Sequence, residues 1–523
     1  MFFPRDATHH YSFLFKSAVA LCIGFLIFAS WGLMAFAGDW RQLPGLGGLE
    51  GVGVGGGGGV IEGDVIEGGG GGAVDGGGGG GGGIIDGNVS LEGPVSLDGP
   101  LAPDDGVSLD DVVPLPSPSC IPTLPNHVII SKTGATEAQA RVPIQLDTSL
   151  FCSDTVIFSD MADTIAGHEI HDVLADFTPD VRDSNPEFDI YRKQYELLAE
   201  GKKEQIPDLK KWPVVGVQDF RTAGKSASWG LDKYKNILAA FLSWKLRPEQ
   251  DWYIFIDADT YLSQNTLRAE LAKHDPREVL YLGHSLRMLE HPTELYFAHG
   301  GSGYVLSRAA MEKAVLENPA LKNEWDAKII NMWFGDYVFA AAMDSINISL
   351  TDGTPMFNGL NALSLPLGPA PGSWCQNVIT LHHMEAEQFK TMYEYEQRNN
   401  FAPLRFKDIY QAFYPSGIPT KRDEWNNLAD DDQFRLSTDE FLEPGILPGN
   451  SSFDACQLAC TRDSSCLQFM FERTRESNMT KCHRSNVLRL GKKKDLANSA
   501  LVECASGWMV ERFESWIHEH ENC

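Results

Sequence analysis

Residues 128–131 and 155–159 are short apolar runs closed by polar residues, and a third, 252–256 (Trp-Tyr-Ile-Phe-Ile), runs straight into Asp257. Continuous apolar runs of this length predict strands buried on both faces, as in a parallel sheet. Between the runs the period changes. Tyr234, Ile237, Leu238, Phe241 and Leu242 recur at helical spacing, which predicts an amphipathic helix over 231–246, closed by Pro248. Residues 263–274 predict the next helix and 279–282 another strand, and Ser307 suits the N-cap of a helix starting at Arg308. Strand and helix patterns alternate, so the fold class is α/β, with layered helices over a sheet.

The pattern breaks at both ends. Residues 17–38 are 22 positions without a charge, long enough to cross a bilayer, and Arg5, His9, His10 and Lys16 precede them. A positive flank before a single span predicts a cytosolic tail (1–16), a signal-anchor (17–38) and a lumenal body. The rival reading is a cleaved signal at Ala35-Phe36-Ala37, which would give a secreted protein. Residues 39–118 are rich in glycine and then proline, a disordered stem whose burial cannot offset its ordering entropy. A folded domain is expected over 119–415, a polar linker over 416–445 and a small cysteine-rich α+β module over 446–523.

Composition narrows the class. The 523-residue chain carries a net charge of −28, which argues against a nucleic-acid partner. Much of the charge lies in the stem, because between Arg41 and Lys132 there are twelve acids and no Lys or Arg. Ten cysteines, nine of them outside the span, fit an oxidising compartment and leave an odd thiol. Sequons at Asn88, Asn347, Asn450 and Asn478 agree with a lumenal body.

The candidate chemistry lies at Asp257-Ala258-Asp259-Thr260-Tyr261. Ligands of open α/β sheets bind beyond the carboxyl ends of the strands. Carboxylates at i and i+2 of an extended segment point the same way and can hold a hard divalent cation, which can in turn hold phosphates. Asp336, a lone acid within Trp333-Phe334-Gly335-Asp336-Tyr337, is the candidate general base, since partial burial would raise its pKa. Gly300, Gly301 and Gly303 would let backbone approach a ligand closely. Cys120 and Cys152 are candidates for a bridge at the start of the folded domain.

Several blocks, in order, resemble the fringe-like, family 31 glycosyltransferases, which include β-linked galactosyl- and N-acetylglucosaminyltransferases. These are residues 128–133 with Arg141 and Asp160, Trp229-Gly230-Leu231-Asp232-Lys233, Asp257-Ala258-Asp259-Thr260-Tyr261, residues 300–307, Gly335-Asp336-Tyr337 and Thr380-Leu381-His382-His383-Met384. The resemblance implies a GT-A (Rossmann-like) fold, Mn2+ or Mg2+, a UDP-sugar donor and inversion at the anomeric carbon. It implies nucleotide or donor contacts at Thr133, Arg141, Asp160, Lys233, Asp257 and Gly301. Metal ligands would be Asp257, Asp259 and His382, with His383 the adjacent alternative. Where the family usually has two acids, this chain has Gly335 before Asp336. The C-terminal spacing resembles a PAN/apple module, which implies nested bridges Cys456–Cys482 and Cys460–Cys466.

The expected function is transfer of a sugar to a glycan or glycoprotein hydroxyl by a single-pass type II protein of the Golgi or ER membrane. Two other readings stand beside it. One is a haloacid-dehalogenase-like phosphatase with Asp257 as nucleophile. The other is a non-catalytic lectin or adhesion protein acting through 446–523.

Overall fold

The computed structural model describes residues 126–215, 226–289, 294–368, 373–429, 449–521 and 523, all within one compact unit. The expected span, the stem and Cys120 lie outside the described residues. Among the described residues no helix is long and apolar enough to cross a membrane.

The first thirteen strands are β1 (His127–Lys132), β2 (Thr155–Ser159), β3 (Asp163–Ile165), β4 (His168–Asp172), β5 (Trp252–Asp257), β6 (Tyr261–Leu262), β7 (Tyr281–Gly283), β8 (Ser285–Met288), β9 (Leu295–Ala298), β10 (Tyr304–Ser307), β11 (Leu350–Asp352), β12 (Phe357–Asn358) and β13 (Thr380–Leu381). Eight form one mixed sheet in the order β11-β7-β10-β5-β1-β2-β4-β3. β5, β1 and β2 are mutually parallel neighbours, and β10 runs antiparallel to both β5 and β7. The α/β class expected from the alternating pattern is present, and the large mixed sheet fits the Rossmann-like core that the resemblance implies.

The unbroken apolar runs follow from burial on two sides. Val128, Ile130, Tyr253 and Phe255 face one hydrophobic cluster, while Ile129, Trp252, Ile254 and Ile256 face another. Successive side chains of a strand point to opposite faces, so both sets must be apolar. Helices Lys235–Leu246 and Gly335–Ser345 cover the first face, and Ala138–Leu146 and Gln264–Leu271 cover the second. The helix expected over 231–246 begins instead with a separate turn, Asp232–Tyr234, and the break places Asp232 at the mouth of the sheet. Ser307 caps as expected, accepting from Ala310 N.

Past residue 415 lie β14 (Lys421–Asp423), β15 (Trp425–Asn426), β16 (Gln468–Thr474), β17 (Thr480–Ser485), β18 (Lys492–Lys493) and β19 (Leu501–Trp508), with a sheet in the order β14-β19-β16-β17. Helix Phe453–Arg462 is stapled to this sheet, Cys456 bonding to Cys482 and Cys460 to Cys466. Residues 416–445 therefore do not form a linker throughout. Lys421–Asp423 pairs with β19 as an edge strand, and edge strands are commonly charged, which made it read as part of a linker. Cys375 bonds to Cys523, Cys152 is disulfide-bonded, and Cys504 is a buried free thiol.

A candidate metal and sugar-nucleotide site at the end of β5

β5 ends where its apolar run stops, and the chain turns through Asp257-Ala258-Asp259 into β6. The turn is held by main-chain contacts on three sides. Ala258 N donates to Lys132 O at 2.8 Å, and Met384 N donates to Asp259 O at 2.9 Å. Gln145 Nε2 donates to both Asp257 O (3.0 Å) and Thr260 O (2.9 Å), while its Oε1 accepts from Ser131 Oγ at 2.6 Å. With the backbone committed inward, the two carboxylates project outward. Asp257 Oδ1 is buried yet accepts no hydrogen bond, and Lys132 Nζ lies 3.4 Å from it. Burial pushes the Asp257 carboxyl up, Lys132 opposes this, and Asp232 adds to it, leaving it raised.

β13 delivers two histidines to the same turn. His382 Nε2 lies 3.3 Å from Asp259 Oδ1, and His383 Nδ1 lies 3.4 Å from Asp259 Oδ2. One atom from each of Asp259, His382 and His383 falls within 4.8 Å of the others. Asp257 Oδ2 is 4.0 Å from His382 Nε2. The two rings stack at 3.7 Å, with His383 at φ 55°. Burial works against the charged form of Asp259, but hydrogen bonds from both histidines outweigh it and hold the carboxyl below the usual carboxylate range.

The approach of Gly301 sets the position of His382. A Cβ at 301 would lie 2.0 Å from His382 Cε1 and 2.4 Å from Nε2, so only glycine lets this backbone pass. Thr260 Oγ1 donates to Gly301 O at 2.7 Å, and Thr380 Oγ1 donates to Ser302 O at 2.6 Å. The glycine turn, the carboxylate turn and the histidine strand are thereby tied together. His299 stands edge-on to His382 at 5.6 Å. Burial, with the neighbouring His382, pushes the His299 imidazole down to about 3, so it stays neutral.

Asp336 faces the site from the first turn of helix Gly335–Ser345. Its Oδ2 accepts from Gly300 N and its Oδ1 from Tyr337 N, each at 2.9 Å. Burial raises its carboxyl to about 6 against the opposing Gly300 N–H and Lys132 charge. A Cβ at Gly335 would sit 2.4 Å from Asn236 Nδ2 and 3.1 Å from Asp232 O, so an acid before Asp336 would require both neighbours to shift.

Lys132, at the end of β1 and in register with Asp257, pairs with Asp232 and Asp257. Lys235 Nζ donates to Thr133 O at 2.9 Å and lies 3.7 Å from both Asp160 and Asp232. A small cavity lined by Lys132, Asn236, Asp257 and Gly300, with an apolar floor, continues beneath this network.

The other candidate positions divide. Arg141 reaches the site indirectly, its guanidinium donating to Met384 O at 3.0 Å. Thr133 Oγ1 is buried without a hydrogen-bond partner beside Lys235. Asp160 is fully buried and accepts from Ala135 N, Ser159 Oγ and Gln194 Nε2, so it holds the loop after β1 rather than reaching a ligand. Lys233 does not face the site either. It is buried against Glu187 Oε2 at 2.8 Å and Met332 O at 3.0 Å, because the single turn at Asp232–Tyr234 points it into the core. Asp232 and Lys132 carry the charge at the mouth instead, and sequence reasoning passed over both. The signal for Lys132 was its place at the end of an apolar strand neighbouring β5.

Residues 226–353 match the family model described as Fringe-like. The match contains Asp232, Asp257, Asp259, Gly301 and Asp336.

Proposed function

We propose that the chain is an inverting, divalent-metal-dependent glycosyltransferase that moves a hexose of galactose or N-acetylglucosamine type from a UDP-sugar to a hydroxyl of a glycan or glycoprotein. One observation carries the reading. Asp257, Asp259, His382 and His383 converge beyond the carboxyl end of β5, and Asp336 faces them across Gly300-Gly301.

The residues fit a metal. Carboxylate oxygen with imidazole nitrogen suits Mn2+, and the buried Asp257 Oδ1, which accepts no hydrogen bond and has Lys132 Nζ at 3.4 Å, keeps lone pairs for a metal ion. Bound there, the ion would neutralise the diphosphate and favour departure of UDP. The chain's own residues do the rest. Gln145 and Met384 fix the carboxylate turn. Asp336, poised near neutrality, accepts the proton of the acceptor hydroxyl as its oxygen bonds to the anomeric carbon and the bond to UDP breaks. Each Asp336 oxygen accepts one main-chain N–H and keeps a lone pair for that proton.

The disulfides support a lumenal setting, and we place the reaction in the Golgi or ER, with residues 17–38 as the membrane anchor. The helix stapled to a small sheet supports a PAN/apple-like reading of 446–523. The test is incubation of the purified chain with Mn2+ and a panel of UDP-sugars, with glycan acceptors. Release of UDP and a product of inverted anomeric configuration are expected. The reading fails if no donor is hydrolysed or transferred and calorimetry detects no UDP–Mn2+ binding.

A further inference from the structure

We propose that Lys132 and Asp232 form the subsite for the transferred sugar, and that this subsite takes a neutral hexose through its hydroxyls and rejects a uronic acid. The inference rests on the transferase reading above. In an inverting displacement the anomeric carbon lies between the leaving oxygen and the attacking one. Here the leaving group is on the Asp257–Asp259 side and the base is Asp336, so whatever lines the gap touches the sugar.

The gap is lined by a continuous set. Lys132 Nζ bridges Asp257 and Asp232. Lys132, Asn236, Asp257 and Gly300 share one small cavity, and Gly300 N is bound to Asp336 Oδ2. Asp232 O lies against the start of the helix that carries Asp336, 3.1 Å from where a Cβ of residue 335 would stand. The main chain of residue 232 thus packs against the start of the helix that carries the base, while its carboxylate turns to Lys132 and Lys235. Both groups can be reached from solvent, the Asp232 side chain being 31% exposed and that of Lys132 13%.

The chemistry of the pair selects its ligand. An ionised carboxylate only accepts hydrogen bonds and an ammonium only donates them. A hydroxyl does both, so one set against the side of the pair can donate to Asp232 and accept from Lys132 together. A uronate carboxylate could bind Lys132 alone and would face Asp232, Asp257 and Asp336. Lys132 and Lys235 are each already shared with two carboxylates, so neither would neutralise a third in full.

Calorimetry with Mn2+ separates the sugar from the nucleotide. UDP, UDP-galactose, UDP-glucose, UDP-N-acetylglucosamine and UDP-glucuronate are titrated into the full chain and into Asp232→Asn. Wild type is expected to bind a neutral UDP-hexose more tightly than UDP, and UDP-glucuronate more weakly than UDP. In Asp232→Asn the gain from the neutral sugar falls roughly ten- to a hundredfold, the worth of one charge-assisted hydrogen bond. The binding of UDP itself changes by no more than about threefold, as expected of a side chain that acts on the sugar. Tighter binding of UDP-glucuronate than of UDP overturns the proposal, and that comparison needs no variant. So does an equal loss for UDP and UDP-hexose in Asp232→Asn, which would put the pair on the diphosphate. Wild type that binds no UDP at all would instead refute the transferase reading on which the subsite depends.

Discussion

Replacing Gly301 with alanine tests the metal site through one contact. The new Cβ would lie 2.0 Å from His382 Cε1, 2.4 Å from Nε2 and 2.5 Å from Nδ1. Carbon atoms in contact sit about 3.5 Å apart, so the ring and the glycine turn must separate by about 1.5 Å. The turn cannot yield easily, because Gly301 O and Ser302 O are bound by Thr260 and Thr380. The ring has His383 stacked on one face at 3.7 Å and His299 edge-on at 5.6 Å. Metal sites tolerate about 0.2 Å in ligand distance, so a displacement of this size takes His382 out of reach of an ion at Asp259. Disturbing the support of a ligand typically weakens binding by about 10–100-fold, and that loss is expected for Mn2+ in Gly301→Ala. Mn2+ paramagnetic resonance on the full chain without donor measures it, with thermal melting to confirm the fold. Groups acting through one interaction are not additive, so Gly301→Ala combined with His382→Ala should bind no worse than His382→Ala alone. A Gly301→Ala protein that binds Mn2+ within about twofold of wild type would refute both the contact and the ligand role of His382.

Asp336 must be ionised to accept a proton, and burial raises its carboxyl to about 6. The sign is therefore fixed. kcat/KM rises about tenfold per pH unit below pH 6 and levels above it, while Asp336→Asn stays low at every pH yet still binds UDP–Mn2+; a wild-type profile flat from pH 5 to 7 removes Asp336 as the base. Lys233→Met leaves Glu187 buried without its cation, so the melting transition should fall by the equivalent of roughly 3–5 kcal/mol while UDP affinity below that transition is unchanged. Loss of UDP affinity with an unaltered melt would return Lys233 to the nucleotide site.

The contrast between Asp257 and Lys233 shows what sequence can carry. Asp257 and Asp259 were legible because their cause is local, an apolar strand that ends in two carboxylates, although the second stands on a turn and not on the extended segment expected. Asp336 stood out as a lone acid among aromatics, but the histidines were legible only through resemblance, since nothing near them in the chain says what they face. Gln145 and Asp232 were not legible, because their partners lie 112 and 100 positions away and pairing of that kind has no period. Asp160 and Lys233 are the converse. Polar residues at the ends of buried elements can serve a ligand or the protein's own backbone, and both serve the protein here. The strand at Lys421–Asp423 was hidden for a related reason, since an edge strand is polar like a loop.

The same distance argument bears on the histidines. Leu381 and Met384, which bracket His382-His383, belong to one hydrophobic cluster with Leu488, Leu490, Trp508 and Phe513 of the cysteine-rich region. Leu367 and Leu488 exchange backbone hydrogen bonds of 2.7 and 2.9 Å, and Cys375–Cys523 joins the same two parts of the chain. β13 is only two residues long and pairs with β6 and β12 through few contacts. A strand that short cannot fix two imidazoles by its own ladder. What holds them is the packing beneath, and part of that packing comes from residues beyond 480. The cysteine-rich region therefore contributes to the support of the histidine arm.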